Sequence, residues 1–113
     1  MWESISREEI EALIAKELAQ CTPEQQQFFN SIRVELTKWQ LEPWGNEGGG
    51  FWVVAKTPSL VLWFNDIEDG FNSSTYVTDG VIGEYWCNQD ELRHALHGLF
   101  HPTMKLGAPQ PLR

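Results

Sequence analysis

Apolar residues recur at helical spacing from Ile10 through Leu13, Ile14 and Leu18 to Cys21, while Glu8, Glu11, Lys16 and Glu17 fall mainly off that stripe. Ser6-Arg7-Glu8-Glu9 opens the run as a capping box, in which Ser6 and Glu9 reciprocally satisfy backbone N–H groups, and Ile5 with Ile10 completes a hydrophobic staple. This predicts a first helix over about residues 7–20. Thr22-Pro23-Glu24-Gln25 is a second start signal, with Thr22 as cap, Pro23 at the first helical position and Gln25 closing the box. The short helix it opens carries Phe28, Phe29 and Ile32 inward.

The period then changes to two through Arg33-Val34-Glu35-Leu36-Thr37, an amphipathic strand reaching toward Leu41 and ended by Pro43. Glycines in Gly45-Asn46-Glu47-Gly48-Gly49-Gly50 mark a loop or hairpin tip. Phe51–Lys56 and Leu60–Phe64 are strongly β-forming runs separated by Thr57-Pro58-Ser59, which predicts a hairpin at the sheet centre. A polar turn over Asn65–Gly70 leads to a strand over Phe71–Val77, and Thr78-Asp79-Gly80 reverses the chain into another over Val81–Trp86. Asn88-Gln89-Asp90-Glu91 then caps a third helix, whose Leu92, Ala95, Leu96, Leu99 and Phe100 form one apolar stripe until Pro102. Connections this short exclude parallel crossovers. The expected fold is therefore α+β: two N-terminal helices, an antiparallel meander of about five strands, and one C-terminal helix. Residues 1–101 form one domain in this reading, and 102–113 an irregular proline-rich tail.

In the central hairpin both sets of side chains are apolar. Phe51, Val53 and Ala55 alternate with Trp52 and Val54, and Leu60, Leu62 and Phe64 with Val61 and Trp63. An antiparallel sheet covered on one side carries polar residues on its outer face, so something must cover the second face here: another part of the chain, a second copy, or a foreign partner. Six Trp and six Phe exceed what the core of a 113-residue chain needs, so some of Trp2, Trp39, Trp44, Trp52, Trp63 and Trp86 are expected at a surface. Trp and Tyr are favoured interface anchors, which makes Trp52 and Trp63 the candidate protein-binding residues, with Asp66, Glu68 and Asp69 as a steering rim.

Charge narrows the partners. Sixteen acidic against eight basic residues give a formal charge of -8, which repels nucleic acid and anionic membrane surfaces and attracts a basic protein. No stretch approaches the ~20 apolar residues of a membrane span. The start Met1-Trp2-Glu3 lacks a basic n-region and an apolar h-region, so a cytoplasmic location is expected, with Cys21 and Cys87 reduced and the Asn72-Ser73-Ser74 sequon unused.

Motifs for catalysis are sparse. His94, His97 and His101 lie within about 60° of one another on a helix, on the side away from Leu92, where imidazoles ligate zinc, copper or nickel; the plainer reading is a solvated polar face near the helix C-terminus. Cys87 precedes the expected Asn88 cap, where a helix N-terminus lowers a thiol pKa, yet no base or oxyanion site accompanies it. Counting a calcium loop from Asn65 puts Ile67 where an oxygen ligand is required and Tyr76 at the bidentate Glu position. The Gly48–Gly50 run lacks the Lys-Ser/Thr of a P-loop, and G-x-S-x-G, H-E-x-x-H and C-x-x-C are missing. No cofactor is expected. In size, acidity and α+β pattern the chain is similar to small bacterial immunity and regulatory proteins, a class-level likeness that transfers no residue roles. The leading expectation is a non-enzymatic protein-binding domain; the alternatives are a homodimer through the same sheet face, and a small enzyme or metal-binding protein using Cys87 or the His94/His97/His101 stripe.

Overall fold

A computed structural model describes residues 3–44 and 49–100. Three helices and a four-stranded antiparallel sheet follow one another as α1 (Arg7–Leu18), α2 (Pro23–Ile32), β1 (Arg33–Trp39), β2 (Phe51–Lys56), β3 (Leu60–Asn65), β4 (Gly70–Thr75) and α3 (Leu92–Phe100), with strand order β1-β2-β3-β4. Both capping boxes form: Ser6 and Glu9 exchange hydrogen bonds of 2.9 and 3.1 Å, and Thr22 and Gln25 exchange bonds of 3.0 and 3.1 Å. The residues of the glycine-rich loop at 45–48, His101 and the tail at 102–113 lie outside the described residues, as do Met1 and Trp2.

The helices cover one face of the sheet. Ile10, Ile14, Phe29, Leu92 and Leu96 pack there against Val54, Ala55, Leu62, Phe64 and Phe71. Strict alternation along β2 assigns Ala55 to the other face; a bulge overturns that expectation. Val53 pairs with Trp63 but Ala55 with Leu62, so one residue is inserted and Val54 and Ala55 both join the helix-side core.

The second face is covered by the chain itself. Trp39, Leu41, Phe51, Val53, Val61, Trp63 and Ile82 form a second core, with Val34, Tyr76, Tyr85 and Trp86 packed against it. The cover comes from residues 76–91, a strap running from the β1 side of the sheet to β4. At its start Gln40 N donates to the Gly80 carbonyl at 2.8 Å and Ile82 N to the Gln40 carbonyl at 2.9 Å; at its end Phe71 N donates to the Asp90 carbonyl at 2.9 Å.

The expected fifth strand over Val81–Trp86 is therefore absent, and the sheet has four strands, not five. The physical reason lies in the polar residues of β3 and β4, which bond the strap's backbone in place of a strand ladder. Ser74 Oγ donates to the Glu84 carbonyl at 2.8 Å and Asn65 Nδ2 to the Trp86 carbonyl at 2.9 Å. Asn72 clamps Asn88 from both sides, Nδ2 donating to its carbonyl at 3.0 Å and Oδ1 accepting from its N–H at 3.0 Å. Gly70 permits the crossing, because a Cβ there would run into the Asn88 carbonyl oxygen and the Gln89 Cα. The cap of α3 also differs from the expected Asn88–Glu91 cap: the Glu17 carboxylate of α1 accepts from Leu92 N at 2.6 Å, while the Glu91 carbonyl accepts from His94 and Ala95 N.

Candidate functional site

The two tryptophans singled out from the sequence sit on opposite faces of the sheet, because Trp63 faces its partner Val53 across the strands and Trp52 precedes Val53. Trp63 is 0% exposed, wedged against Phe51 at 4.9 Å between ring centroids, with its Nε1 donating to Ser74 Oγ at 2.9 Å. It is a core residue with no surface to offer a partner. Trp52 packs at the margin of the helix-side core, its Nε1 donating to the Ile5 carbonyl at 2.8 Å and its ring lying 5.3 Å from the Arg7 guanidinium and 5.1 Å from Lys38 Nζ.

Asp66 belongs to the same N-terminal clasp. Its Oδ2 accepts from Ile5 N at 2.7 Å, and Lys38 Nζ donates to Ser4 Oγ at 2.8 Å. Burial raises the Asp66 carboxyl above the ordinary aspartate value, with the Ile5 N–H and the Lys38 charge opposing the rise. Glu68 is half-buried and Asp69 exposed on the turn that follows. The Asn65 side chain organises that turn by accepting from Ile67 and Glu68 N at 3.0 and 3.1 Å.

His94 and His97 are exposed on α3. Among the described residues no group of three or more His, Cys, Asp and Glu is arranged to hold a metal ion. Cys87 is exposed and unbridged, whereas Cys21 is buried and its thiol pushed up by burial. Because α3 starts only at Leu92, Cys87 stands off the helix end, and the dipole argument made from its sequence position does not apply.

What the sequence reading missed is an aromatic stack on the outside of the strap. Trp44, 44% exposed, lies on Tyr85 with ring centroids 4.3 Å apart and planes 19° from parallel. Tyr85 in turn reaches Phe51 at 6.3 Å and Trp63 at 6.1 Å, so the exposed indole rests on a column of rings that ends in the core. Local pairing fixes the turn that carries Trp44, through a bridge between Leu41 and Trp44, and Leu41 is itself buried in the second core. Val81, 47% exposed, pairs with Gln40 beside it. Burial raises the Tyr85 phenol above its ordinary value, and the neighbouring Glu68 and Cys87 add to the rise while a hydrogen bond with Asn65 opposes it. The acidic turn therefore borders this stack. One sequence signal was available for it: Trp44 follows Pro43 in a turn, where no strand partner is due to bury an indole.

No family model, curated protein or solved structure matches this chain.

A groove of about 490 Å³ lies between α1 and β1. Ile14, Leu18 and Leu36 contribute apolar lining, and Arg7, Glu11, Arg33 and Glu35 the charges. Arg7 Nη2 donates to the Leu36 carbonyl at 2.9 Å, and Arg33 lies 4.9 Å over the Phe29 ring, so both guanidinium groups already serve the fold. No helix among the described residues is long and apolar enough to cross a membrane.

Proposed function

We propose that this chain is a protein-binding domain whose contact surface is the outer side of the strap, centred on Trp44 and Tyr85 with Val81 beside them. The observation that carries the reading is the Trp44–Tyr85 stack: a large, half-exposed indole held on a second ring rather than left to rotate. An anchor already fixed in place loses little rotamer freedom on binding, which is the property that makes Trp and Tyr dominate interface energetics. Glu68, which acts electrostatically on Tyr85, supplies an acidic rim, and the formal charge of -8 favours basic partners at longer range. Relative to the sequence expectation, the aromatic-anchor mode is kept and the anchors change, since Trp63 lies inside.

The test is affinity capture from the native cells with wild type beside Trp44→Ala. Loss of a hot-spot anchor is expected to cost about 2 kcal/mol or more in binding, so that capture falls at least tenfold while the thermal midpoint stays within a few degrees. A partner captured equally well by both proteins contradicts the proposal.

A further inference from the structure

Trp44 offers one ring face to Tyr85, which leaves the opposite face as part of its exposed surface. Elsewhere in the molecule aromatic faces are supplied with cations from within: Arg7 and Lys38 lie over Trp52, Arg33 over Phe29 and Lys56 over Tyr76. Among the described residues no such pairing is made with Trp44. Exposed Glu42 precedes Pro43 in the turn that carries Trp44, and Glu68 acts electrostatically on Tyr85, the ring on which Trp44 is stacked.

We infer that the outer face of Trp44 receives an arginine side chain of a basic partner protein. A guanidinium stacks flat on an indole, drawn by the ring quadrupole, and keeps its in-plane donors for carboxylates such as that of exposed Glu42 in the same turn. An anionic side chain meets the same carboxylates with repulsion. An apolar one fills the ring face and leaves the acidic rim without a counterpart. Lysine satisfies the charge but lacks the planar stacking surface, so it binds more weakly at this position. This assignment rests on the binding role proposed above and names the chemistry of the group that docks.

The test is a titration of the full-length, nitrogen-15-labelled protein with a short oligo-arginine amide at low ionic strength, following the indole N–H signals by NMR. An oligo-citrulline of equal length, isosteric but uncharged, serves as the control. Expected is a shift of the Trp44 indole signal ahead of the Trp52 and Trp63 signals, and no saturable shift with citrulline. Trp44→Leu, which keeps every carboxylate, is expected to weaken oligo-arginine binding about two- to fivefold, the size of an exposed cation–π contact, with Trp44→Phe between it and wild type. A dispersed Trp63 indole signal in each variant reports that the fold is intact. The inference is overturned by absence of binding, by equal affinity of wild type and Trp44→Leu, or by equal binding of citrulline. A natural partner that docks on Trp44 through an acidic or uncharged segment removes this inference and leaves the binding role standing; one that bypasses Trp44 removes the role itself.

Discussion

Trp63 and Trp44 belong to one aromatic column and stand at its two ends, one at 0% exposure and one at 44%. Their substitutions should therefore separate stability from binding. Trp63→Ala removes a fully buried ring and leaves Ser74 Oγ without its indole donor, at an expected cost of about 3–5 kcal/mol in urea unfolding. Asp66 makes a different kind of prediction. Its carboxyl is raised by burial, so in the window from about pH 4 up to the raised value the folded chain holds more protons than the unfolded one, and stability from this group falls as pH rises. Asp66→Asn keeps an acceptor for Ile5 N and removes the titration; the unfolding free energy should then decline less with rising pH across that window. Glu9 works in the opposite sense, its pKa lowered by hydrogen bonds from Ser6, so its contribution is lost as pH falls. If the pH profile of Asp66→Asn overlays that of wild type, Asp66 is not the titrating group.

Elements stop where local signals and tertiary polar contacts disagree. The capping boxes at Ser6 and Thr22 needed only residues within one turn, and both helices start where the sequence predicts. The strap over 76–91 depends instead on groups distant in sequence, Asn65, Asn72 and Ser74, so the β-forming character of Val81–Trp86 did not decide its structure. The buried polar positions of β4 were the available clue: Asn72, Ser73 and Ser74 form a run unsuited to an apolar sheet face unless backbone groups come to meet it. The β2 bulge was invisible to alternation for a related reason, since both side-chain sets are apolar and either register buries hydrophobic surface. Asn72 is the critical clamp. Asn72→Ala should remove both side-chain partners of the Asn88 N–H and carbonyl, costing about 0.5–1.5 kcal/mol for each hydrogen bond lost, and should raise amide exchange at 86–90 before that of β2 and β3. Uniform exchange throughout the sheet would mean that the strap does not open separately.

On the scale of the whole molecule, the strap answers the question posed by the two-sided apolar hairpin: the second face is buried by the chain itself, between β1 and β4. Among the described residues, the acidic surface, the groove between α1 and β1 and the aromatic groups outside the two cores are then features available for recognition. The surplus of tryptophan pointed to a surface role, but which indole was outside depended on the strap's path, and that path was fixed by side-chain amides rather than by hydrophobic period. The measurement that tests the binding surface most directly is amide hydrogen exchange of the chain alone and in complex with a captured partner. Slowed exchange confined to 40–44 and 81–87 is the expected result. Protection along α1 and β1 instead, over the groove lined by Glu11, Ile14 and Leu36, would contradict it and move recognition to the other side of the sheet.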